Sequence, residues 1–356
     1  KVPMATRKNG DALIAALGQP AAYPHPVDAV RVIETHISWV LLTGNYAYKI
    51  KKPVDLGFLD FTTLAARRHY CEEELRLNQR LAAGLYREVV PITGSPDHPK
   101  IGGAGPAIEY AVKMRQFAQS ALLDAALARG EVSTAAIEKL AATIADFHTQ
   151  LLPQDSAHGG DTRASVLALA RDNFSQMLRL LDNAEDIDKL AAIRNWTVRE
   201  YDRHHPRFEH RYADGSVREC HGDLHLGNIA LIDGAATPFD CIEFNPALRW
   251  MDVASEVAFL MMDLEARGRR DLAFTFISAY LEATGDYAGA RLLPFYLVYR
   301  AIVRAKVHLM RAAQPDISPA RRAHATAGSR RYTGYALARM HEARGAVIIT
   351  HGFSGS

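Results

Sequence analysis

The sequence contains little cysteine, and this shortage excludes two classes of protein. Only three of the 356 residues are cysteine, namely Cys71, Cys220 and Cys241. Their spacing fits neither a disulfide framework nor a zinc ribbon. Because so few cysteines are typical of proteins from a reducing compartment, we expect this protein in the cytoplasm.

The chain also lacks a strong net charge and a long apolar run. A net charge of +2 gives no reason to expect nucleic acid or a membrane as a partner. The apolar stretch from Leu292 to Val303 is interrupted by Pro294 and Arg300 and is too short to cross a bilayer. With 48% apolar and 23% charged residues, the composition is that of a soluble globular protein. Its length allows one large two-lobed unit or two domains.

The most informative stretch runs from His221 to Asn228, with the sequence His-Gly-Asp-Leu-His-Leu-Gly-Asn, and is followed by Asp240. A carboxylate at Asp223 can accept a proton from a substrate hydroxyl. The side-chain oxygens of Asn228 and Asp240 are hard ligands that suit Mg²⁺. The residue types therefore indicate a catalytic base beside a metal site.

The spacing of these residues has a geometric reason. Two short strands, 229–232 and 237–240, are predicted around the Asp233-Gly234 turn, a dipeptide typical of tight hairpins. A turn centred on its glycine places Asn228 opposite Asp240. Facing residues of paired strands lie about 5 Å apart, close enough to share one metal ion.

Two other interpretations of this stretch stay open. A polar surface turn before a hairpin would have a similar composition. His221 and His225 have the i, i+4 spacing of a zinc pair on a helix. However, Gly222 and Gly227 favour a loop over a helix.

The stretch resembles the catalytic loop of the aminoglycoside phosphotransferase family, which includes choline-kinase-like and other small-molecule kinases related to protein kinases. Those enzymes share the pattern HGDxHxGN, followed by a metal-binding Asp. The resemblance implies that Asp223 is the catalytic base, that Asn228 and Asp240 bind the metal, and that His221 supports the loop. It also implies ATP and Mg²⁺ as cofactors and a small-molecule hydroxyl as the phosphate acceptor.

The chain departs from protein kinases directly after the metal-binding position. Asp240 is followed by Cys241-Ile-Glu243, where protein kinases have Phe-Gly. A switch of the Phe-Gly type is therefore not supported. The resemblance covers roughly residues 27–340 and implies an α+β, protein-kinase-like fold of two lobes. We expect a β-rich nucleotide-binding lobe over 27–115 and a helical lobe with the catalytic loop over 116–342.

A predicted hairpin, His36–Leu42 and Tyr46–Lys52, contains the candidate phosphate-binding lysine. In its second strand, alternation places three residues on one face, namely Ala47, Lys49 and Lys51. Tyr-Ala-Tyr-Lys49 resembles the Val-Ala-Ile-Lys strand of the kinase superfamily, in which the lysine contacts the nucleotide phosphates. Lys51 is the alternative, and a solvated basic strand edge would explain the pattern without any function.

A helix predicted from Thr62 or Thr63 to about Ala83 offers a partner for this lysine. Glu74 borders the apolar stripe of the helix and can pair with the strand lysine. Glu72 and Glu73 are competing candidates, since a solvated acidic face explains all three glutamates.

Three further roles come from the resemblance with less support from the residues. No glycine-rich loop separates the first two strands, and Thr35 or Ser38 would donate to phosphate instead. The segment from Met114 to Gln116 would bind adenine through main-chain groups. Asp252 would support the catalytic loop, although a charge at a helix N-terminus is an equal explanation.

The rest of the chain is predicted to be mostly helical. Helices are expected over approximately these ranges: 11–17, 133–151, 161–181, 187–204, 250–264, 269–283, 288–312 and 318–342. Strands are also expected over 30–33, 91–93 and 108–114, with a glycine- and proline-rich turn over 94–106.

These observations predict an ATP- and Mg²⁺-dependent phosphotransferase that acts on a hydroxyl of a small molecule. The alternative is a non-catalytic nucleotide-binding regulatory module of a larger P-loop protein, which the missing glycine loop favours. The intact set of Asp223, Asn228 and Asp240 argues against that alternative, because a binding module needs no base.

The last residues suggest a second domain. Ala346–Thr350 is a β-branched apolar run that predicts a buried parallel strand. Gly352–Ser356 matches the first five positions of the P-loop pattern Gly-x-x-x-x-Gly-Lys-Ser/Thr. We therefore expect the native protein to continue into a P-loop domain and to be bifunctional. A flexible glycine- and serine-rich tail is the alternative.

Overall fold

The computed structural model describes residues 4–57, 59–154, 165–315 and 317–341. An antiparallel sheet occupies the first part of the chain, and helices make up most of the remainder, so the fold class is α+β. The predicted strand over 346–350, the glycine-rich segment after it and the predicted helix start at 161 lie outside the described residues.

The main sheet has six strands in the order β1-β2-β3-β6-β4-β5, and all neighbours are antiparallel. The strands are Arg31–Glu34 (β1), Ser38–Leu42 (β2), Tyr46–Lys51 (β3), Tyr86–Ser95 (β4), His98–Ile101 (β5) and Ala107–Arg115 (β6). Strand β5 lies within the segment predicted to be only a turn. It is an edge strand, where Pro99 is tolerated because its ring nitrogen needs no ladder partner.

The predicted alternation along β3 separates the two faces of the sheet. Tyr48 and Ile50 pack in one apolar cluster with Leu17 of the N-terminal helix. Ala47 packs in the other cluster, together with Met114. Since side chains alternate along a strand, Lys49 and Lys51 share the face of Ala47.

Ten α-helices are present in the described ranges. They are Met4–Leu17 (α1), Leu64–Ala82 (α2), Leu123–Ala128 (α3), Thr134–Gln150 (α4), Ser165–Leu178 (α5), Ala184–Ala213 (α6), Val253–Ala266 (α7), Arg270–Thr284 (α8), Leu293–Ala312 (α9) and Pro319–His341 (α10). Two predicted caps are confirmed, because the hydroxyls of Thr63 and Ser133 accept backbone N–H groups at the starts of α2 and α4. Within these ranges, no helix combines the length and the apolar character that crossing a membrane requires.

Two small two-stranded sheets lie close in sequence to the motif around Asp223. One pairs Val217–Glu219 (β7) with Trp250–Asp252 (β10), and the other pairs Ile229–Ile232 (β8) with Ala235–Pro238 (β9). Because β10 takes the first residues of the segment predicted as a helix over 250–264, α7 begins at Val253 instead.

The β8–β9 hairpin corrects the predicted register. Its turn consists of Asp233 and Gly234, which have positive φ angles of 52° and 78°. The turn is centred between these two residues, so Asn228 faces Phe239, whose N–H donates to the Asn228 carbonyl at 2.9 Å. The prediction that Asn228 lies opposite Asp240 was wrong by one residue.

The described chain forms two compact units. One contains the residues up to 154 together with Phe208–Ala290, and the other contains 165–207 together with the residues from Arg291 onward. The sheet, the motif around Asp223 and helix α7 all belong to the first unit. The division into lobes at residue 115 stays a prediction.

Candidate active site

Lys49 lies between two carboxylates that come from distant parts of the chain. Its Nζ is 2.7 Å from Oε1 of Glu74 on α2 and 2.5 Å from Oδ1 of Asp240, which follows β9. Burial lowers the pKa of Lys49, but Asp240 and Glu74 outweigh burial and hold that pKa well above its usual value. The Lys49 side chain is therefore positively charged between these two carboxylates.

Glu74 is the glutamate of α2 that faces the strand lysines. Its second oxygen, Oε2, lies 2.8 Å from Nζ of Lys51. Burial raises the pKa of Glu74, but the two lysines lower it to about 2. The competing candidates point elsewhere on the helix, because Glu72 pairs with Arg68 and Glu73 pairs with Arg76. Helical spacing could not separate the three in advance, since Glu74 only borders the apolar stripe.

Asp223 and Asn228 meet within the loop before β8. Nδ2 of Asn228 donates to Oδ2 of Asp223 at 2.8 Å and to the Asp223 carbonyl at 3.1 Å. An amide that donates through its nitrogen can still offer its oxygen to a cation. About a third of the Asp223 side chain is exposed, since its relative accessibility is 33%. The carboxylate is therefore ordered by the loop and accessible to a substrate.

His221 holds this loop to the segment that leads to Asp240. Its Nε2 donates to the Phe239 carbonyl at 2.9 Å, and its Nδ1 accepts the Asp223 N–H at 3.2 Å. Burial lowers the pKa of His221, so the imidazole is neutral, as this pair of contacts requires. Both ring nitrogens hold backbone groups. This arrangement argues against the zinc interpretation of His221 and His225.

Glu256 of α7 supports the loop that contains Asp223, a role that the resemblance implied for Asp252. The Glu256 carboxylate accepts the His221 N–H at 3.0 Å and the Gly222 N–H at 2.6 Å. Asp252 forms an ion pair with Arg211 at 2.6 Å and caps α7, in agreement with the alternative of a charge at a helix N-terminus. A signal was present, because Glu256 is an acid inside a largely apolar helix and must be paired when buried.

A second acid of α7 reaches the same loop. Asp263 is fully buried, and its Oδ2 accepts the Leu226 N–H at 3.0 Å. Glu256 and Asp263 lie seven residues apart, so both occupy one face of the helix. Helix α7 therefore holds both ends of the loop that contains Asp223.

The remaining predicted residues have other contacts. The hydroxyls of Thr35 and Ser38 lie 2.8 Å apart, and Ser38 is buried. Gln116 closes the turn between β2 and β3, because its N–H donates to the Asn45 carbonyl and its side chain accepts the Gly44 N–H. Met114 packs in the apolar cluster beside Ala47. The structure therefore brings Met114 to the face of the sheet that carries Lys49.

Comparison with known proteins gives relatives of unassigned activity and solved structures of kinases. No family model matches the chain. Uncharacterized proteins of Mycobacterium tuberculosis and Mycobacterium bovis are each 34% identical over 296 residues, which is 82% of this chain and 57% of each relative. The chain thus spans little more than half the length of these curated relatives.

Three solved structures are similar to this chain at low sequence identity. A choline kinase from Streptococcus pneumoniae has a TM-score of 0.49 and 13% identity, over 94% of this chain and 99% of that one. An aminoglycoside phosphotransferase from Alicyclobacillus acidocaldarius has a TM-score of 0.49 and 13% identity, over 90% and 92% of the two chains. An amicoumacin kinase also has a TM-score of 0.49 and 13% identity, over 93% and 94%.

Proposed function

We propose that the protein is an ATP- and Mg²⁺-dependent phosphotransferase that moves the γ-phosphoryl group to a hydroxyl of a small molecule. One observation carries the proposal. Lys49 lies between Glu74 and Asp240, and His221 joins the Asp223 loop to the segment before Asp240. Phosphoryl transfer needs little beyond such positioning and charge stabilisation.

Each residue has a definite role in this reaction. Asp223 orients the acceptor hydroxyl and takes its proton as the oxygen bonds to the γ-phosphorus, while the bond from that phosphorus to the β,γ-bridging oxygen breaks and ADP leaves. Lys49 binds phosphate oxygens of the nucleotide, and Glu74 keeps its ammonium group in place. The amide oxygen of Asn228 and the carboxylate of Asp240 would hold Mg²⁺, and both are oxygen donors of the kind this ion prefers. When bound, Mg²⁺ neutralises charge that develops on the transferring phosphates.

The apolar face next to Lys49 is the proposed site of the adenine ring. Ala47 has a small side chain, and Met114, Phe117 and Phe239 belong to the same apolar cluster. The Phe117 and Phe239 rings are in edge contact, with their centroids 5.3 Å apart. The N–H groups of Arg115 and Gln116 already donate to the carbonyls of Leu85 and Asn45, so we propose that carbonyl groups over 114–116 accept hydrogen bonds from the base edge.

The phosphate contacts proposed for Thr35 and Ser38 are weaker. Their hydroxyls bond each other, so a phosphate would have to replace that bond. The same observation favours a second candidate, a nucleotide-binding regulatory module without transfer activity. The accessible Asp223 held by Asn228 favours catalysis, because binding alone requires no such base.

Metal-dependent ADP release distinguishes the two candidates. Purified protein would be supplied with ATP, Mg²⁺ and a panel of sugars, amino alcohols and aminoglycosides, with EDTA as the metal-free control. We expect one acceptor class to raise ADP release. The Asp223→Asn variant should release ADP at least about a hundredfold more slowly and keep its affinity for ATP. ATP binding without acceptor-dependent ADP release across the panel would favour the regulatory module, and unchanged turnover in the variant would contradict the assigned base.

The expectation of a second, P-loop domain is a separate proposal. We propose that the native protein continues into a P-loop domain, on the support of residues 346–356 alone. Sequencing the native gene beyond Ser356 tests this proposal. Codons for residues other than Gly and Lys at the next two positions would refute it.

A further inference from the structure

A second buried ion pair lies beside the proposed phosphate-binding lysine. Lys51, two residues after Lys49 on β3, forms an ion pair with Glu243 as well as with Glu74. Lys51 is 1% exposed and Glu243 is 3% exposed. The Lys51 ammonium also lies over the Phe61 ring, 5.1 Å from its centroid. Lys49 pairs with Asp240, whose side chain is partly exposed, whereas both carboxylates that pair with Lys51 are buried. The Lys51 ammonium is therefore not available to a nucleotide phosphate, and the proposed reaction leaves its pair with Glu243 unexplained.

The two lysines divide Glu74 between them, one for each oxygen. Lys49 binds Oε1 at 2.7 Å and Lys51 binds Oε2 at 2.8 Å. A carboxylate held at both oxygens has a fixed plane, which directs Oε1 at Lys49. Glu243 supplies the second negative charge that Lys51 needs when buried. Without Glu243, Lys51 would depend on Glu74 alone and compete with Lys49 for it.

The segment from Asp240 to Glu243 is fixed to α2 at a second point. Asn78 is fully buried one helical turn after Glu74. Its Nδ2 donates to the Glu74 carbonyl at 2.8 Å, and its Oδ1 accepts the Cys241 N–H at 2.9 Å. The backbone next to Asp240 is thereby joined to the helical turn that carries Glu74.

We propose that Lys51 and Glu243, with Asn78, are positioning residues that keep Lys49, Glu74 and Asp240 aligned without touching the nucleotide. The inference rests on the proposed function for its effect on catalysis. Its structural content, that Lys49 loses alignment when the second pair is broken, can be tested independently of that function. A buried pair that only stabilises the fold would leave this alignment and the activity of the folded protein unchanged.

The test breaks the pair from each side. The variants are Lys51→Met, Glu243→Gln and the double variant, with Lys51→Arg as the conservative replacement. Glu131→Gln is the matched control, because it breaks an exposed pair with Arg129 far from these residues in sequence. The kcat, the KM for ATP and the acceptor KM would be measured on protein shown to be folded by circular dichroism.

We expect each single variant to lower kcat by about 10- to 100-fold, as for a small misplacement of reacting groups, with the acceptor KM nearly unchanged. The double variant should be no worse than the worse single variant, because the two residues act as one unit. Lys51→Arg should recover part of the loss, and Glu131→Gln should match the wild type. Folded single variants with wild-type kcat, or losses that add in the double variant, would overturn the proposal.

A crystal structure of Glu243→Gln separates this proposal from the proposed function. We expect Lys49 to move away from Glu74 or Asp240 in that variant. Unchanged contacts of Lys49 would overturn the positioning role even if the enzyme is active. An inactive wild type with displaced Lys49 in the variant would refute the phosphotransferase and support the positioning role. If Glu243→Gln does not fold, the same comparison is made on Lys51→Arg, where retained contacts of Lys49 and a kcat between those of the wild type and Lys51→Met are expected. Retained contacts of Lys49 with a kcat as low as that of Lys51→Met would overturn the role.

Discussion

His148 of α4 and Glu256 of α7 form a buried pair beside the loop that contains Asp223, with Nε2 of the imidazole 2.9 Å from the carboxylate. The other ring nitrogen, Nδ1, lies 2.8 Å from the hydroxyl of Tyr280 on α8. Glu256 uses its remaining capacity to accept the N–H groups of His221 and Gly222. Three helices therefore determine the path of the backbone that presents Asp223.

Replacing Glu256 by Gln tests this arrangement. The amide cannot accept through its nitrogen, so a buried N–H or the imidazole loses its partner. We expect the free energy of unfolding to fall by about 3–5 kcal/mol, as when one partner of a buried pair is removed. Urea denaturation measures the loss. Glu282→Gln on α8, where the side chain is exposed, is the control and should change stability by less than about 0.5 kcal/mol. Equal stability of the two variants would contradict the role of Glu256.

The pKa of His308 on α9 indicates how the stability of the second unit changes with pH. Burial, and after it the neighbouring cations led by Arg304, lower the pKa of His308 to about 4 from its usual 6.5. The folded state therefore binds this proton less readily than the unfolded chain. The stability contribution is fully present above pH 6.5 and is lost as the pH falls toward 4.

The pH dependence of unfolding, measured by urea denaturation between about pH 7 and pH 4, checks this window. The wild type should lose stability as the pH falls through it. His308→Gln removes the titrating group, so its stability should fall less steeply over the same range. Tyr332 stacks on the imidazole with centroids 5.6 Å apart, so the variant also loses a ring contact, which lowers its stability at every pH. Parallel pH curves for the two proteins would show that His308 does not cause the dependence.

Asp240 has a left-handed backbone, with a φ of 65°. Asn adopts this conformation about as readily as Asp, so Asp240→Asn removes the charge and leaves the backbone unstrained. We expect the Mg²⁺ concentration for half-maximal activity to rise by about tenfold or more. Asp233→Asn is a matched control, because Asp233 also has a positive φ and is exposed in the adjacent turn. Unchanged metal dependence in Asp240→Asn would exclude Asp240 as a metal ligand.

Much of this arrangement could be predicted from local patterns. The period of two along β3 correctly placed Ala47 and Lys49 on one face, and capping chemistry correctly placed the start of α2 at Thr62 or Thr63. Local sequence patterns cannot predict contacts between segments that are distant in the chain. Glu256 reaches the loop only because of how α7 packs, and Asp252 has Arg211 as a partner that no spacing rule could identify.

The same reasoning explains the smaller errors. The register of the β8–β9 hairpin depends on whether one residue or two form the turn, and a difference of one residue moved Asn228 from Asp240 to Phe239. The alternation along β3 puts Lys49 and Lys51 on one face, and it could not show that Lys51 pairs with Glu243, which lies far away in sequence. Periodicity identifies the face of an element, whereas tertiary packing determines which residue on that face meets a partner.

Gly234 allows the strain of the β8–β9 turn to be measured by itself. Its φ is 78°, and a Cβ added there would meet no atom within 4 Å. Gly234→Ala therefore introduces no steric clash with neighbouring residues, and its cost comes from the left-handed backbone. We expect a loss of about 1–2 kcal/mol in the free energy of unfolding.

Gly84, between α2 and β4, is the matched control, because a Cβ there also meets nothing within 4 Å and its φ lies outside the strained region. Gly84→Ala should be neutral or more stable by about 0.4–1 kcal/mol, since alanine restricts the unfolded chain. Both residues belong to the first unit, so one urea transition reports on both variants. Equal effects of the two substitutions would contradict the two-residue turn and, with it, the register that places Asn228 beside Phe239.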